Sequence, residues 1–156
     1  RNIRIGIKNL INWFPIVWKD RYWDNQFLYE ILRFKISDME KNIRKNGIHL
    51  RAEQDADKMK LCVNLLDRLI EDDYVSNALK NHDRKWGEGE FEFTPIDGRN
   101  EHSSLDIIRP NVKTPKDEKQ ERKEWSVCIG RSDNLQTQDL EILFKLMRKH
   151  IRSWWD

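Results

Sequence analysis

Residues 23–47, WDNQFLYEILRFKISDMEKNIRKNG, decide the fold. Leu28, Ile31, Leu32, Ile36, Met39 and Ile43 recur at three- and four-residue steps, the period of one helical face. Asp24 offers a side-chain oxygen at the N-cap. Trp23 before it and Leu28 at the fourth helical position can form a hydrophobic staple, and Asn46 with Gly47 supplies the stop. The spacing predicts a helix over about 25–45, roughly 30 Å long at about 1.5 Å per residue.

Downstream, Ala52, Ala56, Met59, Cys62, Val63, Leu66, Leu69, Ile70 and Val75 repeat the helical period and predict one helix over 51–80. The short connection at Gly47 makes the two helices antiparallel neighbours. Upstream, Ile3, Ile7, Leu10, Ile11, Phe14 and Trp18 share a face, and Pro15 interrupts it. Because proline lacks the amide that a helix interior needs, two short helices are expected, over 3–14 and 15–22.

Further on, Glu90, Phe91, Glu92 and Phe93 alternate with a period of two, as a half-buried strand does, and SLDIIRP offers a partner. Residues 86–113 therefore read as an insertion containing a small hairpin. Thr114 as cap, Pro115 in the first turn and Asp117 completing a capping box start a helix over 115–129 that Gly130 should end. Leu140, Leu143, Phe144, Met147, Ile151, Trp154 and Trp155 then predict a helix over 133–155 whose last turn docks. The expected protein is mainly α: a single domain, 1–156, built as a helical bundle around a long antiparallel helical hairpin. Terminal helices should pack across the hairpin, with the small β-hairpin inserted.

The 156 residues carry 29 Lys plus Arg against 27 Asp plus Glu, a balance that neither requires nor excludes a polyanion. Seven Trp, six Phe and three Tyr are too many aromatics for a disordered polyampholyte. Cys62 and Cys128 stand apart without metal spacing, which suits a reduced, cytoplasmic protein, and no secretory leader is evident. No apolar run reaches the roughly 18 residues of a spanning helix, so no membrane partner is expected.

Three functional classes follow from the residues. The aromatic excess around NWFPIVWKDRYW, with Trp13, Trp18, Tyr22 and Trp23, exceeds what one helix face can bury, and such side chains anchor interfaces. The first half of the helix at 115 has no apolar face, so Lys116, Lys119, Arg122 and Lys123 should project outward. Together these point to a binding module that meets a protein partner or a second copy. An alternative is nucleic-acid binding through Lys41, Arg44, Lys45, Arg148, Lys149 and Arg152, although basic residues in last turns also offset the helix dipole. A third class is a metal-dependent nucleotide phosphohydrolase. His49, His82, Asp83 and Asp139 follow the order used by HD-type enzymes, and Glu118, Glu121 and Glu124 have the spacing of one magnesium-binding helix of the MazG-like type, whose second pair is missing. A solvated, salt-bridged helix accounts for the same glutamates. No catalytic residue, resident metal or cofactor is assigned.

The stretches NLINWFPIVWKDRYWD, ERKEW and LFKLMRKHIRSWWD resemble small helical proteins of tailed bacteriophages over most of the chain. That resemblance carries no catalytic motif. It implies a viral accessory protein in the bacterial cytoplasm that binds host or defence components, as an inhibitor in an anti-defence role.

Overall fold

The computed structural model describes residues 2–19, 26–95 and 103–154. Among them are five helices, α1 (Asn2–Val17), α2 (Gln26–Asn46), α3 (Ala52–Glu71), α4 (Tyr74–Trp86) and α5 (Pro115–His150). One antiparallel pair of strands, β1 (Glu90–Pro95) and β2 (Ser103–Ile108), lies between α4 and α5. The protein is mainly α with a small β-hairpin. The chain forms two compact units, Arg1–Asp72 with Gln138–Asp156, and Asp73–Thr137. No described helix is long and apolar enough to cross a membrane.

In the first unit, α2 and α3 form the expected antiparallel hairpin. The Gln26 amide donates to the Ile70 carbonyl at 3.2 Å, Arg33 pairs with Asp67, and Arg44 Nη2 donates to Asp57 Oδ1 at 2.9 Å, an order that descends along α3 as it ascends along α2. The buried apolar residues of the pair are Ile36 and Ile43 of α2 and Ala56, Met59, Cys62, Val63, Leu65, Leu66 and Leu69 of α3. Burial pushes the Cys62 thiol up to about 11, so it packs as a small neutral hydrophobe. The connection is tight: the Gly47 amide donates to the Ile43 carbonyl at 2.8 Å, and a Cβ on Gly47 would lie 2.4 Å from that oxygen and 2.8 Å from Ala52 Cβ. Glycine is needed there for close approach. The expected N-cap Asp24 and staple residue Trp23 lie outside the described residues.

Four expectations are corrected. The helices expected at 3–14 and 15–22 are one helix that runs through Pro15 to Val17 and forgoes the one bond a Pro15 amide would have made to the Ile11 carbonyl. The helix expected over 51–80 is broken at Asp72. That residue adopts a left-handed conformation (φ 48°), its amide closes α3 on the Arg68 carbonyl, and α4 starts afresh at Tyr74. The helices expected at 115–129 and 133–155 are one 36-residue helix, because Gly130 costs only about 1 kcal/mol relative to alanine and does not end it. Finally, α1 does not pack as a terminal helix across the hairpin with its stripe inward, for none of its residues is buried.

The C-terminal segment does dock. Trp154 is only 4% exposed, following a short 3-10 turn (Ile151–Ser153). Asp55, buried in the first turn of α3, accepts from the Ser153 hydroxyl at 3.1 Å and lies 3.3 Å from His49 Nε2. Trp155 lies outside the described residues.

Candidate functional site

The second unit holds a groove of about 660 Å³ between β2 and the first half of α5. Its apolar lining comes from Leu105, Ile107, Ile108, Val112, Pro115 and Trp125, and Lys113 and Arg122 line it as well. Strand register creates the exposed apolar face beside it. Phe91 lies opposite Ile107 and Phe93 opposite Leu105, so the four side chains share one side of the hairpin, while Glu90, Glu92, Asp106 and Ile108 fall on the other. Phe91 and Phe93 are 67% and 68% exposed, where the alternation predicts half-burial. A two-stranded sheet is marginal on its own, and this one leaves its apolar face open.

The base of the groove is polar and ion-paired. Arg109, buried just after β2, donates through Nη1 to Asp83 Oδ1 at 2.7 Å and to the Gly87 carbonyl at 2.6 Å, and its Nε lies 2.8 Å from Glu121 Oε1. His82, also buried, sets Nε2 3.3 Å from the Glu121 carbonyl oxygen and Nδ1 3.8 Å from Asp83. The next residues seal the end of α4: Asn111 donates through its backbone amide to Trp86 O and through its side chain to Lys85 O, and Pro110 packs onto Gly87 (φ 83°), where any Cβ would collide with its ring.

On α5, Glu124 accepts from Lys85 Nζ at 2.6 Å, Gln120 Nε2 at 2.9 Å and Trp86 Nε1 at 2.8 Å. These donors, Lys85 foremost, hold its carboxyl down at about 2. The helix starts as the sequence predicts. The Asp117 amide donates to Thr114 Oγ1 at 3.2 Å, while the Thr114 amide and hydroxyl donate to Asp117 Oδ2 at 3.0 and 2.8 Å. The Thr114 hydroxyl, first, and its amide hold the Asp117 carboxyl below the usual carboxylate range.

Lys116, Lys119, Arg122 and Lys123 are exposed along the start of α5, with Arg122 bonded to Glu118 at 2.6 Å and lining the groove. Trp13 is half-buried, edge-on to Phe34 at 4.7 Å, and Trp18 is exposed; Tyr22 and Trp23 lie outside the described residues. Lys41 and Lys45 near the end of α2, and Arg148, Lys149 and Arg152 near the end of α5, are exposed, whereas Arg44 is engaged by Glu40 and Asp57. Of the proposed metal ligands, His49 faces Asp55, His82 and Asp83 belong to the Arg109 cluster, and Asp139 pairs with Arg68 at 2.9 Å. Glu118, Glu121 and Glu124 each face a cationic partner, Arg122, Arg109 and Lys85. Among the described residues no three His, Cys, Asp or Glu side chains group as metal ligands.

Phe91, Phe93, Leu105, Ile107, Arg109 and Trp125 have no functional role in the sequence reading. Their signal is the Phe-x-Phe alternation, which identifies the strand but not whether its apolar side is covered. Comparison with protein-family models, curated proteins and solved structures finds no match.

Proposed function

We propose that the chain is a non-enzymatic binding module, an accessory protein of a tailed phage that engages a host or defence protein. The contact surface in this reading is the open hairpin face and the groove beside it, with Phe91, Phe93, Leu105 and Ile107 as apolar anchors, Arg122 in the groove lining and Lys116, Lys119 and Lys123 exposed along the start of α5. The observation that carries it is the hairpin register, which puts four large apolar side chains on one open face above a buried ion-paired base. An apolar patch rimmed by charge is the usual anatomy of a protein contact surface. The phage setting is supported by the sequence resemblance alone.

The test is a tagged pull-down from bacterial lysate, with and without nuclease, comparing the native chain with Phe91→Ser/Phe93→Ser. A stoichiometric, nuclease-resistant protein should be captured, and the double variant should lose it by on the order of thirtyfold or more, as for removal of an interface hot spot. Its thermal midpoint should stay put, since both rings are exposed. Undiminished capture by the folded variant removes the open hairpin face from the interface and overturns this reading, and capture that disappears with nuclease replaces it with nucleic-acid binding.

A further inference from the structure

α1 presents a second open surface that owes nothing to the groove. At about 100° per residue, Ile3, Ile7, Leu10, Ile11, Phe14, Val17 and Trp18 fall within an arc of about 120°. All seven are exposed, Leu10 and Trp18 each at 73%, and the Phe14 and Trp18 rings meet at 5.3 Å within the stripe. The helix touches the rest of its unit on another side, through Trp13 against Phe34, and this contact turns the stripe outward. Arg4 and Lys8 occupy the arc next to the stripe, Lys19 follows in the turn just beyond α1, and residues 2–19 contain no Asp or Glu.

We propose that α1 lies on an anionic phospholipid surface, with the stripe in the headgroup and acyl boundary and Arg4, Lys8 and Lys19 against lipid phosphates. A long outward apolar face, tryptophan within it and a purely basic flank are the features of an interfacial helix. Charge decides the occupant. A second copy docked stripe to stripe brings the same basic flank and no acid within residues 2–19, whereas an anionic bilayer meets all three cations and accepts a convex face without a preformed groove. The expectation of no membrane partner rests on the lack of a spanning segment, and a helix lying in the interface needs none.

The test is flotation of the full chain with vesicles of phosphatidylglycerol and phosphatidylcholine in equal parts, against phosphatidylcholine alone, with sedimentation velocity on the lipid-free protein. The chain should float with the anionic vesicles only, and added salt should weaken binding. Leu10→Asn/Phe14→Asn and Arg4→Glu/Lys8→Glu should each lower the partition coefficient on the order of tenfold or more with the thermal midpoint unchanged, because none of these residues is buried. Equal flotation with neutral vesicles, or binding untouched by charge reversal, overturns the proposal. So does the absence of flotation, and a dimer that Leu10→Asn/Phe14→Asn dissociates would then assign the stripe to a second copy. The hairpin variant Phe91→Ser/Phe93→Ser should float normally, so this result and the lysate result fail separately.

Discussion

α1 and α3 are both helices with a continuous apolar stripe, of 16 and 20 residues, and they meet opposite fates. α3 buries Ala56, Met59, Cys62, Val63, Leu65, Leu66 and Leu69, whereas α1 buries nothing. Their difference lies in their neighbours. The stripe of α2 runs antiparallel to α3 across a connection too tight for a side chain at Gly47, so the two faces are in register before anything else is added. α1 meets α2 through the ring pair of Trp13 with Phe34. Period therefore specifies which residues share a face, while coverage depends on a complementary face held nearby.

The largest test of that contrast is a matched pair of truncations. Leu66→Ala should cost about 2–5 kcal/mol in urea unfolding, as deletion of fully buried leucine methyls does, whereas Leu10→Ala should stay within about 0.5 kcal/mol. A comparable loss at Leu10 would mean that the stripe of α1 is covered in solution. The second test moves to the polar base of the groove. Arg109→Met should cost about 3–5 kcal/mol, because Asp83 and the largely buried Glu121 lose their shared cation, while Arg33→Met at an exposed pair should cost under about 1 kcal/mol.

The smallest effect is a pH dependence at Glu124. Its folded-state value of about 2 lies below the ordinary 4.5, so its contribution to stability is fully present above 4.5 and is lost as pH falls through about 2. Over that window Glu124→Gln should flatten the acid limb of a plot of thermal midpoint against pH.

Much of the fold is legible in the sequence where local chemistry and tertiary packing agree. The α2 stripe, the Gly47 turn, the Thr114 and Asp117 capping box and the Glu90 to Phe93 alternation all identify elements that form. Pro15 and Gly130 mislead because a breaker acts through an energy, not a rule: one missing bond in a last turn and about 1 kcal/mol in a 36-residue helix are both affordable. The break at Asp72 does have a local sign. Glu71, Asp72 and Asp73 set three carboxylates against the negative end of α3, and Asp is among the few residues that enter the left-handed region readily. The groove is less legible, because alternation gives the two sides of a hairpin without saying whether a partner lies over the apolar one. Arg109 is least legible of all, since its partners Asp83 and Glu121 lie 26 and 12 residues away and only the fold brings them to it.

Asp55 also sets an order of events during synthesis. The α2 and α3 hairpin can zip outward from Gly47, beginning with Arg44 and Asp57, 13 residues apart, and each later contact closes a loop only slightly longer than the last. The hydrogen bond from Ser153 to Asp55 spans 98 residues and waits for all of α5. At roughly 5–20 residues per second of translation, the two events are separated by about 5–20 s. In that interval His49, six residues away, is the neighbour already in reach of the carboxylate, so Asp55 is held by a local partner before its distant one emerges.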